Sequence, residues 1–160
     1  MSITGFALFG FVIGHLIGNL QIFLGPEAIN RYGNFLQSNL EIIWPVRISL
    51  LVIIFLHIWA AIKISAENKA ARPVAYQNFN PTTANYASRT MLMSGLIIFF
   101  FIIYHLLHYT AQMPQINFTG QNFTELHDPK TGYHDIYAMM VFGFSNLWVS
   151  LFYIVAIALL

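Results

Sequence analysis

Histidine is the residue type in this sequence whose placement calls for chemistry. Of the six present, His15, His57 and His105 each interrupt a long apolar run, and His108 follows His105 by three residues. His127 and His134 lie in a polar stretch, each followed by an aspartate. An imidazole inside an apolar run has three uses: it ligates a metal, it hydrogen-bonds between helices, or it relays a proton. Cysteine is absent. Disulfides, thiolate-bound zinc and cysteine-held iron–sulfur clusters are thereby excluded, and histidine is left as the obvious soft ligand.

The elements that must position these side chains are transmembrane helices. The chain has 160 residues, 58% of them hydrophobic and only 8% charged, whereas a soluble domain carries about a quarter charged residues. With a net charge of +1 and seven Lys or Arg spread thinly, no basic surface can neutralise several phosphates, so nucleic acid is not the expected partner. A hydrocarbon layer of about 30 Å needs roughly 20 apolar residues in a helix. Four stretches qualify: residues 3–24, 43–62, 91–111, and a last one within 136–160, taken as 141–160. Gly25-Pro26 stops the first, Pro45 suits the first turn of the second, and Pro114 follows the end of the third. The expected architecture is one all-α transmembrane bundle. The first apolar run lacks a basic leader and is too long for a signal-peptide core, so it reads as a retained span.

Charge sets the expected orientation. Lys63, Lys69, Arg72 and Arg89 lie between the second and third spans, against Arg31 and Arg47 in the first connection and Lys130 alone between Gln112 and Asp135. By the positive-inside rule the Lys63–Arg89 connection and the amino terminus are cytoplasmic. The Glu27–Glu41 segment and the Gln115–Tyr133 loop then face outward.

Helix rise converts position into depth. His15, twelve residues from the inner end of its helix, lies about 18 Å deep, and His105, fourteen residues along a helix of the same direction, about 21 Å. His57 belongs to a helix running the other way and lies only about 8 Å from the inner surface. Two imidazoles at one depth are what a bis-histidine haem requires, one on each side of the porphyrin plane. His108 is the alternative ligand in that layer. It lies one turn nearer the surface, where it would instead meet a haem propionate, a quinone or lipid headgroups. His127 and His134 read as solvated loop residues rather than a metal site.

A flat ring needs small neighbours. Gly10, Gly14 and Gly18 form a stripe beside His15, a pattern that also serves plain helix packing. Arg47, on the outer side, and Arg89, on the inner side, suit bidentate bonds to propionates or snorkelling to headgroups.

The stretches GFVIGHLIGNLQIF (10–23), WPVRISLLVIIFLHIWAAIK (44–63), SRTMLMSGLIIFFFIIYHLLHYT (88–110) and HDIYAMMVFGFSNLWVSLFYIVAIALL (134–160) resemble the dihaem cytochrome b subunit of bacterial succinate dehydrogenase and fumarate reductase. The resemblance runs the length of the chain. It implies a five-helix anchor in the bacterial cytoplasmic membrane that holds a flavoprotein and an iron–sulfur subunit on its inner face. Such an anchor passes electrons to a quinone, commonly menaquinone. It also implies that His15 and His105 ligate an outer haem b and His57 an inner one. The family's fourth ligand comes from its next-to-last helix, and here no histidine follows His134. Counting along the last helix puts that position just past Leu160, so the chain reads as truncated, four spans of a family with five. The family's quinone site lies on the outer side with an acidic residue, for which Glu41 is the candidate. Rival readings are a cytochrome b anchor of a hydrogenase or formate dehydrogenase, and a haem-free scaffold or transporter.

Overall fold

Backbone polar groups cannot be left bare in hydrocarbon, which favours helices throughout. The computed structural model describes residues 1–71 and 84–159. Among them there is no strand, and seven α-helices carry the chain: α1 Ser2–Asn19, α2 Pro26–Ser38, α3 Leu40–Ala70, α4 Tyr86–His105, α5 Pro114–Asn117, α6 Ile136–Ser145 and α7 Leu147–Ala158. A 3₁₀ turn, Leu20–Leu24, prolongs α1, and a π-helical turn, Leu106–Thr110, prolongs α4. Arg72 of the inner-loop cations and Leu160 fall outside the described residues.

Three of these helices, with their extensions, are long and apolar enough to cross a membrane, and a fourth crossing exists if α6 and α7 count as one broken span. Almost none of their apolar surface is covered: 6%, 0% and 0% of the most apolar windows of α1, α3 and α4 are buried. Phe6, Phe9, Leu51 and Trp59 are each more than half exposed. In water such a surface would aggregate; in lipid it is the solvated face. α3 has 31 residues, about 46 Å of helix, so its Lys63–Lys69 end reaches beyond the hydrocarbon.

The boundaries differ from the sequence expectation in three places. The second span opens at Leu40, not at 43, so Pro45 stands inside α3 rather than in its first turn; the missing N–H removes one bond of the ladder near its start. The first connection is a helix in its own right. Gly25 turns the chain at φ +100°, a conformation open to glycine, and Pro26 opens α2 with its preset φ. The last span is not one rod over 141–160. Asn146 adopts an extended conformation, its side chain accepts the N–H groups of Trp148 (3.0 Å) and Val149 (3.3 Å), and its amide donates to the Phe118 carbonyl at 3.1 Å. This cap ends one helix and starts another, and the two axes bend by 92°.

α2 is clamped to the start of α6 by one buried amide. Asn30, 1% exposed, donates to Asp135 Oδ1 at 3.0 Å and accepts the Tyr137 N–H at 3.0 Å, while the same Asp135 oxygen caps α6 by accepting the Ala138 N–H at 2.9 Å. Asn30→Leu is expected to lower stability by about 2 kcal/mol, because a buried backbone N–H and a carboxylate lose their partner. Glu27→Gln, which removes the exposed 2.7 Å ion pair with Arg31, should change it by less than about 0.5 kcal/mol. Thermal unfolding of the detergent-solubilised variants, followed by circular dichroism, checks both.

Candidate functional site

α1 and α4 bring His15 and His105 together. Their ring centroids lie 5.8 Å apart with planes at 87°, and each ring is backed by an aromatic of its own helix four residues earlier: Phe11 on His15 at 5.4 Å and Phe101 on His105 at 5.9 Å. The spacing is helical, so imidazole and backing ring share one face. Behind His105, α7 contributes Tyr153, whose hydroxyl lies 3.5 Å from His105 Nδ1 and 3.2 Å from His108 Nδ1. For His105 this long contact occupies the Nδ1 side and leaves Nε2 as the nitrogen for another partner.

His108 is placed differently from the expectation. It is wholly buried, not at the headgroups, because the segment after α4 folds back as a plug. Asn117 (0% exposed) organises that plug, donating to the Gln121 carbonyl at 2.8 Å and accepting the Thr119 N–H at 2.9 Å. Phe123, also fully buried, then seats against His108 at 5.8 Å and Tyr109 at 6.4 Å. The π turn reorients these two side chains, and such turns gather at functional positions. His108 Nε2 and Tyr109 Oη are both buried without a hydrogen-bond partner, and both abut Gly143, where a Cβ would stand 3.2 Å from His108 Nε2.

His57 occupies a separate level. Its Nδ1 lies 2.9 Å from Thr4 Oγ1 near the start of α1, and a Cβ added at Gly5 would lie 3.4 Å from His57 Cε1, in ordinary contact. Gly5 and His15 are ten residues apart, so the two levels are separated by about 15 Å.

The remaining expected residues divide. No atom stands within 4 Å of where Cβ atoms on Gly10 and Gly14 would lie, whereas Gly18 is filled by the Tyr32 ring, 2.9 Å from its Cβ position, and serves the α1–α2 contact. Arg47 lies over the Trp44 ring, 5.5 Å from its centroid. Arg89 stands in the first turn of α4 and Glu41, exposed, in the first turn of α3. His127 and His134 face each other across a bridge with ring centroids at 6.3 Å. His134 Nε2 meets the Gln112 side chain at 3.0 Å and its Nδ1 is buried without a partner. Burial pushes the His134 imidazole below its ordinary range, His127 adds to this and Asp135 opposes it.

Among the described residues no group of three or more His, Asp or Glu could hold a metal ion. Two imidazoles brought together from two helices, His15 and His105, are a donor set that would fit a haem iron. Thr4, Tyr109, Asn30 and Tyr153 were not singled out by sequence. For Tyr153 the signal was present, a hydroxyl midway through a helix whose one other polar side chain is Ser150; for Thr4, at a helix start, there was none. Comparison with known proteins finds no matching family, curated protein or solved structure.

The depressed His134 group makes stability depend on pH. As pH falls through the ordinary imidazole value of about 6.5, the unfolded chain takes up a proton that the folded chain still refuses, so stability falls until the folded form is protonated too. Unfolding midpoints measured from pH 7.5 to 5 should therefore decline, and His134→Gln should flatten that decline while leaving the midpoint at pH 7.5 nearly unchanged.

Proposed function

We propose that this chain is the cytochrome b anchor of a bacterial succinate:quinone oxidoreductase, carrying electrons between an iron–sulfur subunit and menaquinone. The observation that carries the reading is the His15–His105 contact: two imidazoles from separate apolar helices, ring against ring at 5.8 Å, at the level the helix rise assigns to both. A haem b held there takes up and releases one electron at a time.

The chain's own residues have distinct tasks in this reading. His15 and His105 would hold the haem of the outer site, with Phe11 and Phe101 stacked behind them to fix the ring planes. Gly10 and Gly14 leave the face of α1 beside His15 clear. His57 would be one ligand of a haem at the inner site, about 15 Å along the helix axis. Arg47 and Arg89 stand near opposite membrane faces, where they bond haem propionates or lipid phosphates. Quinone reduction belongs to the outer side, where Glu41 is one group able to handle protons. Succinate or fumarate chemistry belongs to the flavoprotein, which docks with the iron–sulfur subunit against the inner face. Lys63 and Lys69 near the end of α3, Arg89 at the start of α4 and Arg72 between them favour a cytoplasmic position for that face and the amino terminus.

His108 does not compete for the outer site, since its Nδ1 faces Tyr153 and its Nε2 turns toward Gly143. In reduced-minus-oxidised spectra of the purified complex, His15→Leu or His105→Leu should remove one haem signal while succinate-to-dye electron transfer by the soluble subunits persists. His108→Leu should retain that signal. Full haem spectra in both His15→Leu and His105→Leu would overturn the reading.

A further inference from the structure

We propose that Thr4 is a positioning residue for His57: its hydroxyl accepts the imidazole Nδ1–H and so presents Nε2, bearing the lone pair, to the inner haem iron. This rests on the reading of His57 as a haem ligand and adds what makes it a competent one.

The case is one of counting protons. Thr4 Oγ1 has two neighbours, the Met1 carbonyl at 2.9 Å and His57 Nδ1 at 2.9 Å. A hydroxyl has one proton to donate, and a carbonyl can only accept. With that proton on Met1 O, the oxygen turns lone pairs toward His57, and the contact is a hydrogen bond only if Nδ1 carries hydrogen. A neutral imidazole protonated at Nδ1 is bare at Nε2, which is the form that binds a metal. The reverse polarity, with the hydroxyl donating to Nδ1, would protonate Nε2 and block ligation. Met1 O also accepts the Gly5 N–H at 2.9 Å, so both donors of this first turn converge on one carbonyl and fix where the hydroxyl stands. Gly5 lies beside the ring, where an added Cβ would stand 3.4 Å from His57 Cε1, in ordinary contact. A hydrogen bond from the outer nitrogen fixes the orientation of a ligating histidine and raises its basicity, and a more basic ligand favours the oxidised iron.

The test uses the complete complex with all its subunits, carrying Thr4→Val, Thr4→Ser or His57→Ala. Spectroscopic redox titration and haem content per flavin are the readouts. Valine keeps the shape and loses the acceptor. It should shift the inner haem to a higher midpoint potential and cut its retention about tenfold, while the outer haem titrates as before. Serine should restore both. If Thr4→Val leaves the potential and content of the inner haem unchanged while His57→Ala removes that haem, the role of Thr4 falls and the ligand reading survives. If His57→Ala leaves both haem signals intact, the ligand reading and the role of Thr4 fall together.

Discussion

An imidazole in hydrocarbon must find a partner for each nitrogen, and the arrangement of the helices follows from how that demand is met. In helices apolar enough to cross a membrane, a buried ring nitrogen left unpaired costs about 1 to 3 kcal/mol. Hydroxyls supply the partners on one side: Thr4 for His57, and Tyr153 between His105 and His108. Each such contact joins two different helices, α1 to α3 and α4 to α7. The demand of single side chains therefore fixes the register of helices whose apolar faces, alike to lipid and to one another, would otherwise slide. What stays unpaired on the second nitrogen is the chemical potential of the site.

The outer end of the bundle shows the same logic with more parts. The π turn carries His108 and Tyr109 off the line of α4, the plug built on Asn117 and Phe123 seals them from the surface, and Gly143 of α6 leaves them room. α6 can lie across this end because Asn146 breaks the last apolar stretch and Asn30 of α2 ties down its first turn. A continuous helix over the same residues would carry Phe144, which packs at 5.0 Å on Tyr153, away from the aromatic cluster. The bend thus belongs to the architecture of the histidine layer.

Two levels of histidine about 15 Å apart along α1 give the bundle a direction. The level of His57 has one imidazole with a hydroxyl beside it; the level of His15 and His105 has two imidazoles in ring contact with aromatic neighbours. On the proposed reading this asymmetry matches two haems in different environments, one toward an iron–sulfur partner and one toward the quinone. On that reading the rings of Phe11, Phe101 and Tyr153 beside His15 and His105 would help set the properties of a haem held there.

Much of this was legible in the sequence because it depends on quantities that add along the chain. Hydropathy summed over 20 residues identified three helices long and apolar enough to cross a membrane and a fourth stretch that is bent, and a rise fixed by backbone hydrogen bonding turned residue numbers into depths, so His15 and His105 were expected to lie level before their contact was known. The tertiary structure alone decided what depends on rotation about a helix axis and on closure of loops. Thr4 under His57, Tyr153 shared between His105 and His108, Gly18 filled by Tyr32, and the plug that buries His108 are of this kind. So are the bend at Asn146 and the amphipathic α2, for an asparagine in an apolar run reads as tolerable until its cap is seen. Depth is a one-dimensional property set by local hydrogen bonds, whereas the partner of a side chain is set by whichever helix packs beside it, and no local pattern encodes that neighbour.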